Sequence, residues 1–332
     1  MKEARSSAPA DKAAPSAMFD IWSDPDGGIG HQQGVERRAG LSLQELIRDY
    51  TRPNRPVLIT DVATNWKAMK TWTPEYFRDR YGTLQIKVRV DKGDKGEWVP
   101  LGEFMDEVLA SRPEKPGRYA YQISIEDLPG AWDDILPHPE HWRPNWLEDP
   151  NVMPVVGNHL LTKVSGIEIN IGGTGSAFPE IHYDELNTET FIVQVYGRKE
   201  WVLYDPDQTP YMYKRGPAST FSDVNFVGGV DLQRFPLFRN VRPTRFTIEP
   251  GEMFYNPPRW WHTTRALTPS IAVVYTIARG PIWWGVTKAA CEHTLHNDFR
   301  SRPITFAKVA AIFAYMTAFR LMRSAVDAFG AR

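Results

Sequence analysis

The spacing of hydrophobic and polar positions changes along the chain and divides it into regions. Before residue 150, strand-like runs such as Leu84–Val90 alternate with segments of helical spacing. Ser42 and Glu45 form a capping-box pattern, and Thr73 precedes a proline, so we predict that one helix begins after each of Ser42 and Thr73. We therefore predict an N-terminal α+β part over residues 19–150.

Short strands dominate residues 151–285. Phe191–Tyr196 and Glu200–Tyr204 form a predicted hairpin around Gly197 with almost no polar face, which indicates burial on both sides. Short strands with Gly and Pro corners are typical of a double-sheet jelly roll. We predict a mainly β fold with α: a double-stranded β-helix (jelly-roll or cupin) core, the N-terminal α+β segment packed on it, and C-terminal helices.

The end of the chain, residues 286–332, has a helical spacing. Ile304–Phe329 carries apolar residues almost all round and few polar ones. Such a helix is buried in its own domain or against a partner. We favour a homodimer interface, with internal burial as the alternative and membrane-surface binding as a third interpretation. No uninterrupted apolar run reaches the roughly 18–20 residues of a membrane span, so we predict no integral membrane segment.

Composition narrows the function classes. The 332 residues carry a formal net charge of −1, which argues against a nucleic-acid partner. Cys291 is the single cysteine, so an intrachain disulfide framework is excluded and we expect a reducing compartment, the cytoplasm. Residues 1–18 are rich in Ala, Ser, Lys and Pro and lack the apolar run of a signal peptide, so we expect a disordered tail.

Two histidines and an aspartate form the candidate catalytic site. His182 and Asp184 are two positions apart, so on a strand their side chains share a face. His262 lies downstream in Pro257–His262 and can complete a three-point cap on a metal ion. Two histidines and one carboxylate with open positions are the ligand set of non-haem Fe(II) oxygenases. We predict that these three residues bind Fe(II).

The remaining histidines give weaker metal signals. His138 and His141 lie in a proline-rich loop, and His293 and His296 share a helix face without a second ligand pair at zinc spacing. We expect no metal at either place.

A cation is also needed if the reductant is a keto acid, because in 2-oxoglutarate enzymes a cation holds the far carboxylate. Lys199 shares a strand face with Trp201 and Leu203, and a lysine on this apolar face requires an anionic partner. Arg198, on the opposite face, is the rival anchor. The structural alternative is a lysine at a hairpin turn with its amine in water.

Three stretches, residues 181–185, 194–208 and 250–262, resemble the cupin-like JmjC hydroxylases, the group of the asparaginyl hydroxylase that inhibits hypoxia-inducible factor. The resemblance runs from about residue 55 to 284, and it implies dimerisation through C-terminal helices. It also implies a set of site residues: His182, Asp184 and His262 as iron ligands, Lys199 as the 2-oxoglutarate anchor, Tyr121 (chosen over Tyr119) as a further co-substrate contact and Thr190 as a polar neighbour.

The resemblance implies a hydroxylase that uses Fe(II), 2-oxoglutarate and O2, releases succinate and CO2, and oxidises an unactivated C–H bond of a peptide, a protein or a small molecule. The presence of Asp184 favours hydroxylation over halogenation. Pro179 and Val274 depart from the family pattern, so the substrate stays open. The alternatives are a non-catalytic cupin-like binding or scaffold protein, and a cupin oxygenase that needs no keto acid.

Overall fold

The structure is a computed structural model that describes residues 18–22, 34–89, 96–149, 166–297 and 302–330. The tail predicted over residues 1–18 lies outside the described residues except for Met18, which begins the first strand.

The strands are numbered in chain order. They are β1 Met18–Phe19, β2 Glu36–Arg38, β3 Val57–Ile59, β4 Gln85–Arg89, β5 Glu97–Pro100, β6 Tyr119–Ser124, β7 Ile167–Gly172, β8 Glu189–Tyr196, β9 Lys199–Tyr204, β10 Val230–Asp231, β11 Thr244–Ile248, β12 Met253–Asn256, β13 Trp261–Ala266 and β14 Ser270–Ile277.

Two sheets form the core. One has nine strands in the order β2-β3-β12-β8-β14-β7-β6-β4-β5, and the other has three in the order β11-β9-β13. Neighbouring strands are antiparallel except for β2 and β3. The two sheets and the accompanying helices confirm the predicted fold class, a mainly β protein with a jelly-roll core. Strands from both sides of residue 150 share the larger sheet, and the proposed domain division stays a prediction.

The helices are α1 Leu43–Leu46, α2 Ala68–Thr71, α3 Pro74–Tyr81, α4 Leu101–Ala110, α5 Ala131–Asp134, α6 Trp283–Asn297 and α7 Arg302–Gly330. Both predicted helix starts are present. Ser42 Oγ accepts from Glu45 N at 3.3 Å while the Glu45 carboxylate accepts from Ser42 N at 2.9 Å. Thr73 Oγ1 accepts from Tyr76 N at 3.1 Å. These contacts satisfy amides that the first turn of a helix leaves unpaired.

Strand β8 shows how one strand contributes to two apolar regions. Phe191 and Val193 face a cluster shared with the N-terminal helices, whereas Ile192 faces the space between the two sheets. Trp201 and Phe254 meet Ile192 there, one from each sheet. Because alternate residues of a strand point to opposite faces, both faces of β8 are buried, as predicted for the hairpin.

The C-terminal helices pack against each other along one side only. Trp283 Nε1 donates to Met316 O at 2.9 Å, and Met316 and Phe319 are buried. The opposite side of α7 is open, with Phe306 60% exposed and Leu321 68% exposed. Internal burial therefore does not account for the apolar composition of α7. By length and composition, residues 302–326 could cross a membrane, a property that single helices of water-soluble proteins also show.

A buried ion pair ties strand ends together beside the candidate site. Arg279, just after β14, donates through Nε to Glu189 Oε2 at 2.6 Å, and both side chains are at most 1% exposed. Tyr255 from β12 donates to Glu189 Oε1 at 2.7 Å, and Arg279 Nη2 donates to His141 O at 2.6 Å. Glu189 immediately precedes Thr190, so this network fixes the backbone from which Thr190 projects.

Arg279→Met should lower the free energy of unfolding by about 3–5 kcal/mol, because it leaves the Glu189 carboxylate buried without its cation. Urea unfolding at neutral pH measures the loss. Arg198→Met, at an exposed position of the hairpin turn, is the matched control and should change stability by less than about 0.5 kcal/mol. Equal losses of unfolding free energy in the two variants would show that the buried ion pair contributes no more to stability than an exposed arginine.

Candidate metal and co-substrate site

The structure brings His182, Asp184 and His262 together. One nitrogen or oxygen atom from each lies within 4.8 Å of the other two, and His262 Nε2 is 3.9 Å from Asp184 Oδ1. His182 lies in an extended segment outside the named strands, joined to His262 by an isolated β-bridge. His182 N donates to His262 O at 3.0 Å, and His262 N donates to His182 O at 2.6 Å. The backbone itself therefore fixes the two imidazoles side by side.

Hydrogen bonds orient both imidazoles. His182 Nδ1 is 3.3 Å from Glu180 O, and His262 Nδ1 is 3.0 Å from Trp260 O. A carbonyl oxygen can only accept, so each Nδ1 carries the proton and each Nε2 keeps its lone pair for a metal. Burial, with a smaller contribution from His262, lowers the pKa of His182 to about 3. The neutral ring is the form that binds metals.

The carboxylate of Asp184 is held through one oxygen. Its Oδ2 accepts from Thr190 Oγ1 at 2.6 Å and from Asn256 Nδ2 at 2.9 Å, which leaves Oδ1 on the side of His262. Thr190 and Asn256 are partners across β8 and β12. Thr190 was predicted as a polar neighbour of the co-substrate, and its observed contact is Asp184. Asn256 was missed, although it precedes the Pro257–His262 segment directly.

The three side chains open into a cavity of about 750 Å³ between the two sheets. Phe178 and Phe221 both pack against His182, with ring centroids 4.4 and 5.6 Å from the imidazole. Two nitrogens and one oxygen on one side of a cavity, with the other side open, fit the ligand set of an Fe(II) oxygenase. The three residues therefore fit a metal, while their assignment as iron ligands stays a prediction.

Lys199 supplies the buried cation of this cavity. It is 1% exposed, its Nζ donates to Tyr119 Oη at 3.1 Å, and no carboxylate of the described residues forms an ion pair with it. Trp201, on the same strand face, has a buried Nε1 without a hydrogen-bond partner within the described chain. An unpaired buried ammonium and an unpaired N–H are costly. Together they fit an anionic ligand such as the far carboxylate of 2-oxoglutarate.

The tyrosine beside Lys199 is Tyr119. Tyr121, chosen from the resemblance, lines the same cavity, with its ring centroid 5.1 Å from that of Phe178. A contact between Tyr121 and the co-substrate stays a prediction. Arg198, the rival anchor, is exposed at the hairpin turn and does not line the cavity.

Glu168 is an acidic residue of the cavity wall that sequence reasoning missed. It alternates with the buried Ile167 and Ile169 on β7, so its side chain faces the cavity with Asn170. Burial raises the pKa of Glu168 to about 7, with a smaller contribution from the charge of Asp184. The Ile-Glu-Ile-Asn-Ile alternation predicts that Glu168 and Asn170 share a polar face of the strand. It does not show whether that face lines a cavity or contacts solvent.

The other histidines have different surroundings. His141 Nε2 is 2.6 Å from Leu41 O, and His138 packs against the rings of Trp132 and Trp142. Within the described part of the chain, neither these residues nor His293 joins a second group of metal-binding side chains.

Thr190→Val removes the shorter hydrogen bond to Asp184 and should weaken metal binding by about 10- to 100-fold, because residues that orient a ligand have effects of this size. Calorimetric titration of the metal-free protein with Mn(II) measures the affinity. Thr247→Val, on β11 and away from the cavity, is the control. Unchanged Mn(II) affinity in Thr190→Val would contradict the positioning role of Thr190.

Comparison with known proteins assigns the sequence to a family. Residues 43–276 match the family described as "Cupin-like domain". Lysine-specific demethylase JMJ30 of Arabidopsis thaliana is 28% identical over 260 residues, which cover 75% of this chain and 54% of the relative. The bifunctional peptidase and (3S)-lysyl hydroxylase JMJD7 of Homo sapiens is 26% identical, over 68% of this chain and 78% of the relative.

Lysine-specific demethylase 8 of Xenopus tropicalis is 25% identical, over 73% of this chain and 51% of the relative. The chain thus spans about half the length of two of these three relatives. The match over residues 43–276 contains the three candidate ligands and Lys199 in one continuous domain. The chain belongs to the cupin-like domain family, within which its relatives are JmjC proteins.

Proposed function

We propose that this protein is an Fe(II)- and 2-oxoglutarate-dependent oxygenase that hydroxylates a C–H bond with O2 and releases succinate and CO2. One observation carries the proposal: His182, Asp184 and His262 open into the same cavity as the buried cation Lys199. The first three fit a metal with open positions, and Lys199 fits the far carboxylate of a metal-chelating keto acid. Family membership supports the same function.

Iron and the keto acid would supply the oxidising chemistry once bound. The protein residues bind and orient them. His182 Nε2, Asp184 Oδ1 and His262 Nε2 would hold the metal from one side, while the Lys199 ammonium and the Tyr119 hydroxyl would hold the carboxylate. This division leaves the rest of the cavity for the substrate C–H, in keeping with catalysis by orientation.

The contacts around Phe221 on the cavity wall support exclusion of water. Phe221 stacks on His182, and the Arg215 guanidinium lies 5.6 Å from the centre of the Phe221 ring. Arg215 also donates to Glu180 at 2.7 Å and to Asp223 at 3.2 Å. These contacts hold an aromatic ring over the metal side of the cavity, where a dry environment strengthens the interactions of charged groups.

The substrate class we propose is a side chain of a peptide or protein. The names of the human and Arabidopsis relatives, a lysyl hydroxylase and a lysine-specific demethylase, support it. A small-molecule substrate is the alternative, since the cavity volume of about 750 Å³ suits either. We also propose the cytoplasm as its location, on the strength of the single cysteine.

With Fe(II) and 2-oxoglutarate, the wild-type protein should form succinate, and His182→Ala should abolish this activity. Lys199→Ala should raise the KM for 2-oxoglutarate by about 10- to 100-fold, as expected for the loss of a charge-assisted hydrogen bond of about 1.5–3 kcal/mol. Arg198→Ala, which removes the neighbouring exposed cation, should leave the KM unchanged.

Two results would contradict the proposal. Succinate formation that persists in His182→Ala would favour a non-catalytic cupin-like scaffold with contaminating activity. Substrate oxidation that is unaffected in Lys199→Ala would favour a cupin oxygenase that uses no keto acid.

We propose in addition that α7 forms a homodimer. α7 exposes the apolar side chains of Phe306, Phe313, Leu321 and Met322, each at least 45% exposed, although Phe313 also stacks on Trp284 of α6. Apolar side chains exposed along a long helix are typical of interaction sites. A membrane surface suits α7 less well, because its basic residues are few and two of them have partners within the chain: Arg320 lies over the Trp284 ring and Arg323 pairs with Asp149.

Leu321→Glu places a charge at the most exposed of the apolar side chains named for the dimer contact and should convert a dimer into a monomer, as measured by light scattering coupled to gel filtration. Val227→Glu is the control, since Val227 is also more than half exposed but lies far along the chain from α7. A wild-type monomer at micromolar concentration would contradict the dimer proposal. Binding of the wild type to anionic vesicles would support the membrane alternative.

A further inference from the structure

Glu168 is an acidic group on the cavity wall that the proposed reaction does not use. Its side chain projects from β7 into the cavity that contains His182, Asp184 and Lys199. It does not belong to the group of three residues that can share a metal ion. Within the described part of the chain, Glu168 forms no hydrogen bond or ion pair, so its carboxylate faces the cavity without a partner.

The neighbours of Glu168 explain why no partner is supplied by the fold. Val274 lies directly opposite on β14 and is apolar. Asn170, the next residue on the same face, uses its Oδ1 to accept from Gln122 N at 3.1 Å. Ser124 is the partner of Glu168 on β6 and is uncharged, so the strand pairs surround the carboxylate with groups that do not neutralise it. The ionised form of a half-buried carboxylate in this setting is unfavourable unless a cation or donor arrives from outside.

Other charged side chains also line the cavity, and their contacts differ from those of Glu168. Lys199 is bonded to Tyr119 and faces the proposed co-substrate carboxylate. Arg215 pairs with Glu180 at 2.7 Å. Lys87 lines the cavity from β4 without forming an ion pair with Glu168. Glu185 also lines the cavity but is exposed, and Lys87 is half-buried. Among the described residues of the cavity wall, Lys199 is thus the buried cation suited to an anionic ligand, and Glu168 is an unpaired acid suited to a cationic ligand.

We propose that Glu168 is a specificity-determining residue that binds a positively charged nitrogen of the substrate, either an ammonium or a guanidinium group. The inference rests on the proposed function for the identity of the cavity as a substrate site. Glu168 accepts a charge-assisted hydrogen bond from the substrate nitrogen, and Tyr121 and Phe178 on the same cavity wall contact the hydrocarbon part of the side chain. The carbon that is oxidised then lies toward His182 and Asp184.

Paired peptides that differ only in charge test the proposal. The probes are acetyl-Gly-Gly-Xaa-Gly-Gly-amide peptides in which Xaa is lysine or its neutral analogue norleucine, and arginine or its neutral analogue citrulline. Calorimetry measures their binding to protein loaded with Mn(II) and N-oxalylglycine, so the readout does not depend on turnover. The two pairs also distinguish an ammonium from a guanidinium ligand.

Wild-type protein should bind the charged member of at least one pair about tenfold more tightly than the neutral member, a difference of about 1.4 kcal/mol. Glu168→Gln keeps the shape of the side chain and should reduce this preference to within about twofold. Glu103→Gln, on the exposed side of α4, is the control and should keep the wild-type preference.

Equal binding of charged and neutral peptides by the wild-type protein would overturn the proposal, as would a charge preference that survives in Glu168→Gln. The absence of measurable binding of both charged peptides would overturn it too. A failure of the proposed function is distinguishable, because it appears as an absence of succinate formation and does not alter the charge preference in binding.

Discussion

The paired backbone hydrogen bonds between His182 and His262 are the constraint on which the rest of the site depends. They join the extended segment before Asp184 to β13 and set the two imidazole centroids 4.3 Å apart. Residues that are paired across two antiparallel segments project to the same face. The bridge therefore places the two histidine ligands together without any metal. Asp184 follows two residues after His182 and reaches the same place. The side-chain bonds from Thr190 and Asn256 then select which carboxylate oxygen is available.

Buried charges in this fold divide into those that the protein pairs internally and those that it leaves for ligands. Arg279 and Glu189 form a buried ion pair, and Tyr255 donates a hydrogen bond to Glu189, so the network connects β14, β8 and β12. Lys199 and Glu168 face the cavity without an opposite charge from the described residues. Since an unpaired charge in a desolvated place destabilises a fold, its presence at a cavity wall indicates a ligand of the opposite charge. On our proposals, Lys199 marks the co-substrate side of the cavity and Glu168 marks the substrate side.

Short sequence patterns were sufficient to predict several features of the fold and the site. The capping box at Ser42, the helix start at Thr73 and the two-faced burial of the β8–β9 hairpin follow from patterns within a few residues. Strand parity and the ligand chemistry of iron were sufficient to nominate the three candidate ligands. The pairing of strands that are distant in the sequence could not be predicted. Which strands share the nine-stranded sheet depends on contacts that no local pattern encodes.

The choice between Tyr119 and Tyr121 shows a second limit. The pairing of β6 shifts register between Ala120 and Ile123, and Gln122 has a φ of 60°, so counting by twos along this strand does not decide which ring meets Lys199.

A crystal structure of the protein grown with Mn(II) and N-oxalylglycine tests the central claim most directly. The account predicts one ion bonded to His182 Nε2, Asp184 Oδ1 and His262 Nε2, with a carboxylate of N-oxalylglycine on Lys199. An ion bound elsewhere, or N-oxalylglycine bound away from Lys199, would contradict it.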